Sequence, residues 1–211
     1  MKRLIKLSGI LLLSLMLKAE SCSDGSEMTS QEKYVDQKTR QIKSQFQAET
    51  LRDFELADFE KSSKQKLADF ADYLKILTDS SLQQPFREKA AEMVQEIFIS
   101  DSIIVSICAS PGKIIEYGIG QLVQKGLNNE IGSVQIQYDS IRFEQSFQWN
   151  GLNHYFAEMS FIQRTSGPDD DQSLKRSMKG KMNARIIKEN KIFGSDTLSI
   201  WVLKLVDTES R

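Results

Sequence analysis

The apolar pattern of this chain changes period once, and that change constrains the fold more than any other feature. Ahead of residues 133–206 apolar side chains recur at helical spacing, whereas inside that segment they alternate as on strands. Met178 and Met182, for example, alternate with Lys179 and Lys181, so a strand there has one apolar face and one basic face. The apolar side of such a sheet has to be covered. The order of the two patterns therefore predicts an α+β fold, with N-terminal helices packed on the concave face of a bent antiparallel sheet.

Two helices are predicted first. One runs from Gln31 to about Lys61; its polar first half is typical of a solvated stalk, and from about Phe46 we expect it to dock on the domain. The alternative, a coiled-coil dimer, requires sustained heptads that its apolar positions do not supply. Ser62 or Ser63 is expected to cap the second helix. The apolar stripe of that helix comprises Leu67, Phe70, Ala71, Leu74 and Leu77.

A third helix is predicted to begin near Ser81. Pro85 would fall in its first turn, where proline is tolerated because the amide hydrogen is not needed there. The short link makes this helix an antiparallel neighbour of the second one. Its buried side is predicted to comprise Phe86, Ala90, Met93, Val94, Ile97 and Phe98.

The segment between the helices and the sheet has mixed signals. Residues 103–108 are short, apolar and β-branched, which indicates a buried strand or a buried extended segment. Pro111 and Gly112 then turn the chain. Gly118 and Gly120 leave two alternatives open, either a close approach of helix to sheet or a loop. The short helix predicted here carries Ile115, Ile119, Leu122 and Val123.

Bulge and turn signals divide the rest of the chain into antiparallel strands. The alternation shifts phase at Asp139 and Ser140, which is typical of a β-bulge. Asn150-Gly151 predicts a hairpin leading into a strand over 155–164. A longer turn over 166–172 follows. The last two predicted strands are Lys175–Ile187 and Leu198–Val206.

The N-terminus reads as an export signal. A basic stretch is followed by an apolar run over 7–17, which is too short to span a bilayer and typical of a signal peptide. Cys22 follows Ala19 and Ser21, and a cysteine in that position resembles a bacterial lipobox, so lipidation of Cys22 is expected. A plain secreted protein is the alternative. The predicted organisation is a signal peptide over 1–21, a tether and stalk helix over 22–45, and one α+β domain over 46–211.

Helices followed by a meander of long strands resemble the NTF2-like or cystatin-like fold. The segments Val134–Tyr138, Tyr155–Arg164 and Leu198–Val202 also resemble NTF2-like domains of uncharacterised Bacteroidetes envelope proteins, and residues 23–27 resemble the acidic segment after the lipidated cysteine of such lipoproteins. The resemblance implies an outer-membrane lipoprotein facing the periplasm or the cell surface. This fold hosts enzymes, scaffolds and carriers alike, so it does not by itself assign a function.

Candidate catalytic residues are few. An enzyme of this fold, of isomerase or dehydratase type, would need a proton shuttle in the cone enclosed by sheet and helices. The candidates are His154, Glu144, Glu158 and Asp139, and each also reads as an ordinary surface side chain. No cofactor is implied, since the chain lacks nucleotide and phosphate fingerprints. A single histidine and the apolar setting of Cys108 argue against a zinc site.

The basic strand is the one charge asymmetry of the chain. The formal net charge is −1, and removal of the leader takes away four basic residues and one acidic residue, so a general nucleic-acid binder is not expected. Alternation places four basic side chains on one face, where their fields add. That face comprises Lys175, Lys179, Lys181 and Arg185. It reads either as a solvated face or as a binding surface for lipid phosphates, acidic glycan or an acidic protein. The leading hypothesis is a non-catalytic envelope lipoprotein that binds a partner protein or small ligand.

Overall fold

The computed structural model describes residues 29–46, 48–110, 113–166, 176–194 and 196–207. The chain divides into two units at the junction of Lys43 and Ser44. Helix α1, Ser30–Phe46, has mainly polar residues, and both Tyr34 and Val35 are exposed. The ammonium group of Lys38 lies 5.7 Å from the centroid of the Tyr34 ring. The predicted signal peptide and Cys22 lie outside the described residues.

Helix α2, Asp53–Thr78, is continuous, and this corrects two predictions. The helix expected over 31–61 is two helices, because α1 ends at Phe46 and Arg52 caps a new one through reciprocal contacts with Glu55. Ser62 and Ser63 do not cap a further helix. Their hydroxyls donate to the carbonyl oxygens four residues earlier, at 2.9 and 2.8 Å, which lets serine remain inside a helix. The predicted stripe of α2 is fully buried.

Helix α3, Gln84–Ile97, has Pro85 in its first turn as predicted. Ala90, Val94 and Ile97 are buried, and Phe98 is buried just beyond the end of the helix. Phe86 is 64% exposed, so its predicted burial is wrong, and the neighbouring Arg87 is buried instead at 6% exposure. Arg87 is buried because its guanidinium group donates to the backbone carbonyls of Leu77, Gly126 and Leu127.

A two-stranded hairpin follows, formed by β1, Ile104–Ser110, and β2, Lys113–Gly118. Ile115 was expected on a helix but lies in β2 opposite Ile107, because pairing with β1 outweighs the weak helical pattern of a segment that contains glycine. The predicted turn residues Pro111 and Gly112 lie outside the described residues. The hairpin covers part of the main sheet, since the Gln163 side chain donates to the Ser106 carbonyl at 3.0 Å.

Helix α4, Ile119–Leu127, starts directly after the hairpin. Its first amides, those of Ile119 and Gly120, donate to the carbonyls of Ile103 and Asp101, each at 2.9 Å. The glycines at this point therefore bring the start of the helix against residues 101–103, and not against the sheet. The closest approach is at Gly126, where an added Cβ would lie 2.7 Å from Cγ of Leu77 in α2.

The main sheet is an antiparallel meander in the order β3-β4-β5-β6. A register shift after Asp139, with Ser140 at φ 52°, confirms the predicted bulge, and the hairpin at Asn150-Gly151 is also confirmed. Strand β5 is longer than predicted and pairs with β6 as far as Phe193. The long turn expected near 166–172 and the side chain of Lys175 lie largely outside the described residues. The strands are β3, Gln135–Trp149; β4, His154–Ser166; β5, Arg176–Phe193; and β6, Asp196–Val206.

One face of the sheet is covered by helices and forms the core. In β4 and β5 the covered positions are mainly apolar, and they comprise Tyr155, Ala157, Met159, Phe161, Met182, Ala184 and Ile186. The Phe161 ring lies across Gly180, so closely that an added Cβ would be 2.3 Å from Cε2. The predicted α+β arrangement, with helices on one face of an antiparallel sheet, is confirmed, and it is the arrangement expected of an NTF2-like fold.

Candidate functional site

The two faces of the sheet differ sharply in chemistry. We call the face away from the helices the open face. Because side chains alternate along a strand, the even-numbered residues of β4 and the odd-numbered residues of β5 lie on it. Its basic side chains are Arg142, Arg164, Lys179, Lys181, Arg185 and Lys191, and its acidic side chains are Asp139, Glu144, Glu158, Glu189 and Asp196. Lys204 has an open-face position in the register, but its ammonium group donates to the Glu96 carbonyl of α3 at 2.8 Å. Among the described residues, basic groups thus outnumber acidic groups on the open face.

The three candidate carboxylates all lie on the open face, and each has a partner. Asp139 forms an ion pair with Arg164 at 2.9 Å. Glu158 pairs with Lys181 across β4 and β5. Glu144 accepts a hydrogen bond from the Ser160 hydroxyl. The structure therefore places these carboxylates in a network on the open face. A proton shuttle of this fold would instead lie in the helix-covered interior.

His154 is the first residue of β4, and both of its ring nitrogens contact the preceding turn. Nε2 lies 2.5 Å from the side-chain amide nitrogen of Asn150, and Nδ1 lies 3.2 Å from the carbonyl of Leu152. Nε2 is placed to accept from the Asn150 amide, and Nδ1 is placed to donate to the Leu152 carbonyl. The side chain of Asn150 also accepts from the amide of Leu152 at 2.9 Å. His154 thus closes the β3–β4 turn.

The helix-covered interior has a small polar end. There the Gln163 amide donates to Ser106 and to the Thr165 hydroxyl, and burial raises the pKa of the Tyr138 phenol. A cavity of about 310 Å³ lies beside them, under the β1–β2 hairpin. Gly180, Met182 and Phe161 supply the apolar part of its wall. The cavity is lined by amide, hydroxyl and apolar groups together with four charged residues, Glu116, Lys179, Lys181 and Asp207.

Three of the four residues of the predicted basic face are described, and all three lie on the open face. Lys179 and Lys181 are exposed and Arg185 is half-buried, all on the open face. Lys175 lies outside the described residues. Lys179 and Lys181 border a shallow depression together with Arg142, Glu144 and Ser160. The structure therefore brings Glu144 and Glu158, proposed as catalytic residues, next to the basic side chains, where they neutralise part of the charge.

A second depression of about 380 Å³ on the open face brings His154 and Arg185 together. Phe156 lies directly opposite Arg185 in the register of β4 and β5 and also lines the depression. The remaining lining residues are Gln145, Gln148, Trp149 and Asn150. Sequence reasoning missed this site, because strand alternation assigns a residue to a face but does not say which residue of the next strand lies beside it.

An aromatic cluster at the same end of the sheet was also missed. Trp149, Tyr155 and Trp201 pack edge to face, with ring centroids 5.1 to 6.4 Å apart. The Trp201 indole donates to the carbonyl of Ala48 at 3.0 Å, and the Tyr155 hydroxyl accepts from the amide of Leu51 at 2.9 Å. The cluster therefore holds the segment that leads into α2.

Within the ranges that the structure covers, no helix combines the length and the hydropathy that a bilayer span requires. In the same ranges, no group of three or more His, Cys, Asp or Glu side chains is placed to hold a metal ion.

Comparisons with known proteins add little. No protein-family model matches the chain, and no curated protein matches it. Among solved structures the chain is similar to one in the crystal structure of the C. albicans Mtr2-Mex67 M domain complex, with 16% sequence identity. The match covers 69% of this chain and 93% of that chain, with a TM-score of 0.28. A likeness of that size carries no argument about what this chain does.

Proposed function

We propose that this chain is a lipid-anchored envelope protein whose domain binds an acidic glycan on the open face of its sheet. The observation that carries the proposal is the cluster of basic side chains in the first part of β5, where Lys179, Lys181 and Arg185 share the open face. Lys179 and Lys181 project from it in the same direction, two residues apart, so their fields add. The helix-covered face, in contrast, is occupied by the core.

The charge pattern of the face favours binding by a long anionic chain. The ion pairs of Asp139 with Arg164 and of Glu158 with Lys181 are exposed on the basic side, and exposed pairs of this kind hold their partners weakly. An anionic chain can therefore exchange with the protein carboxylates at little cost. The sheet behind the face is rigid, since β4 pairs with neighbours on both sides. The backbone positions that carry the cations are thus fixed before a ligand arrives.

The anchor is proposed on sequence grounds. Cys22 follows a leader of the right length and small residues at Ala19 and Ser21, and lipidation there would tether the domain to the envelope. Such a tether would hold the domain next to the membrane, where it can bind a soluble or cell-wall glycan. A partner protein with an acidic surface would use the same array, and the assay below separates the two.

A triple variant tests the glycan-binding surface. Changing Lys179, Lys181 and Arg185 to glutamine removes three charges from the open face and leaves the buried side of β5 intact, so the fold should survive. We expect retention on immobilised heparin to fall about tenfold at low salt, and wild-type retention to weaken steeply as salt rises.

The matched control removes three charges elsewhere. Lys61, Lys75 and Lys89 are exposed on helices α2 and α3, and their change to glutamine lowers the net charge equally. The control should keep wild-type retention. Equal loss of retention in both triple variants would show that retention depends only on net charge. Wild-type retention that does not change with salt would contradict binding at the open face. Retention of an acidic protein from the envelope without retention on heparin would move the proposal to a protein partner.

A further inference from the structure

We propose that the depression of about 380 Å³ on the open face is a binding site for a single acidic sugar residue, with Arg185 as the partner of the sugar carboxylate. This inference rests on the proposed function, because it names the unit of the glycan that the face would recognise. It adds a specific pocket to what is otherwise a charged surface. The pocket volume falls in the range of about 300–1,000 Å³ that small-ligand sites occupy.

Arg185 has the environment that carboxylate recognition needs. Its side chain is half-buried, and its Nε is shielded from solvent. A guanidinium group is a rigid planar fork that matches a carboxylate in two parallel hydrogen bonds. Partial removal of water strengthens such a contact relative to the same contact at an exposed lysine. Arg185 is thus a better anchor for one carboxylate than Lys179 or Lys181, which are exposed.

Phe156 supplies the apolar part of the site. It is half-buried on the open face and lies opposite Arg185 in the β4–β5 register, so ring and guanidinium are neighbours. Sugar rings have apolar C–H patches beside their polar groups, and aromatic side chains bind such amphipathic surfaces. An inorganic anion would gain nothing from this ring. The pairing of Phe156 with Arg185 therefore favours a carboxylate attached to a ring.

Amide side chains on the rim supply hydrogen-bonding groups for hydroxyls. Strand β3 shifts register between Gln145 and Gln148, and a bulge of this kind re-aims the side chains next to it. Both glutamines line the depression, and Gln145 donates to Gln148 at 3.2 Å. Asn150 is held at the other rim by its contact with His154. A carboxamide both donates and accepts, which is what a hydroxyl requires.

The lining residues also argue against a cation or a basic ligand. Of the seven described residues that line the depression, one is an arginine, one is a histidine, and none is Asp or Glu. The site is therefore electropositive, small and partly aromatic, which is the chemistry of a uronic acid pocket.

Titration of the purified full chain with D-glucuronate, D-glucose and inorganic phosphate tests the inference. We expect glucuronate to shift the amide resonances of residues around Phe156 and Arg185 in a saturable way. Glucose, which lacks the carboxylate, should bind at least about tenfold more weakly. Phosphate should bind more weakly than glucuronate, because it gains nothing from Phe156. Equal binding of glucuronate and glucose, or preferential binding of phosphate, would overturn the assignment.

Three variants locate the site. Arg185→Gln should remove glucuronate binding, and Gln148→Ala, at an exposed rim position, should weaken it several-fold without a change in fold. Lys61→Gln is the control, because it removes one exposed charge from helix α2, away from the open face, and should leave glucuronate binding unchanged. Wild-type affinity in Arg185→Gln would sink the proposal. Salt-sensitive heparin retention without any glucuronate binding would refute this inference and leave the proposed function standing.

Discussion

At the scale of single residues, Arg87 shows what a sequence pattern cannot reveal. The helical stripe predicted burial of Phe86, yet the buried residue is Arg87. Its guanidinium donates to the carbonyls of Leu77, Gly126 and Leu127, which are the last carbonyls of α2 and α4. Helix C-termini have a partial negative charge and unsatisfied acceptors, so one buried cation can satisfy both ends. Two of these acceptors lie 39 and 40 residues from Arg87 in the sequence. Helical periodicity relates only residues a few positions apart, so it does not reveal such contacts.

Arg87→Met should therefore destabilise the domain by about 1.5–3 kcal/mol, since methionine fills similar space but leaves buried carbonyls without donors. The measurement is the free energy of unfolding in urea. Lys89→Met is the control on the same helix, because the Lys89–Glu92 pair is exposed to solvent and its loss should leave the unfolding midpoint almost unchanged. A loss at Arg87 as small as the loss at Lys89 would mean that the carbonyls find other donors.

Gly180 is a second residue whose role depends on a neighbouring strand. An added Cβ would meet Cε2 of Phe161 at 2.3 Å, and the ring is fixed by an edge-to-face contact with Tyr138 at 4.9 Å between centroids. Gly180→Ala should cost about 1–3 kcal/mol, as overpacking in a core does. Gly132→Ala is the control, since nothing lies within 4 Å of its added Cβ. Equal unfolding midpoints for the two variants would show that the Phe161 ring can move away.

At the scale of elements, the long apolar stripe of α2 and the bulge and turn signals of the sheet were predictable, whereas the helix boundary at Arg52 was not. The stripe of α2, the bulge after Asp139 and the hairpin at Asn150-Gly151 follow from spacing and turn chemistry, and all three are confirmed. The boundary at Arg52 was missed, because Gln- and Lys-rich sequence propagates a helix equally well on both sides of it. Ser62 and Ser63 caused the opposite error, a helix start predicted inside a continuous helix, because serine caps helices and is also tolerated inside them.

Leu74 tests the packing of α2 on the sheet. It is fully buried in the stripe, and Leu74→Ala should lower the free energy of unfolding by about 2–5 kcal/mol, the sum of lost burial and a cavity. Lys75→Ala, one residue further on the exposed side of the same helix, should change it by less than about 0.5 kcal/mol. A loss under about 0.5 kcal/mol at Leu74 would place the wrong face of α2 on the core.

At the scale of the whole molecule, the sequence predicts the two faces of the sheet but not the site on the open face. Alternation along β5 was enough to separate Met182 from Lys181, and the structure confirms that separation. The depression around Arg185 depends instead on the register of β5 against β4 and on a bulge in β3. Register follows from loop lengths and packing between strands, which a single-strand pattern does not contain. The same holds for the contact of Ala48 with Trp201, 153 residues apart.

Membrane attachment is a property of the whole molecule, and it depends on lipidation of Cys22. If Cys22 is lipidated, the wild-type chain should sediment with envelope membranes and resist extraction by high salt, because acyl chains hold it through apolar burial and charge screening does not weaken that. Cys22→Ala leaves the small residues before the cleavage site, so export continues and the chain should appear in the soluble periplasmic or secreted fraction.

The second cysteine of the chain provides the control, since Cys108→Ala removes a thiol without touching the leader and should leave the protein in the membrane fraction. Membrane association of Cys22→Ala would contradict the lipid anchor, and a soluble wild-type chain would establish the plain secreted alternative. Neither result depends on the glycan assays, so the tether and the binding surface can be judged separately.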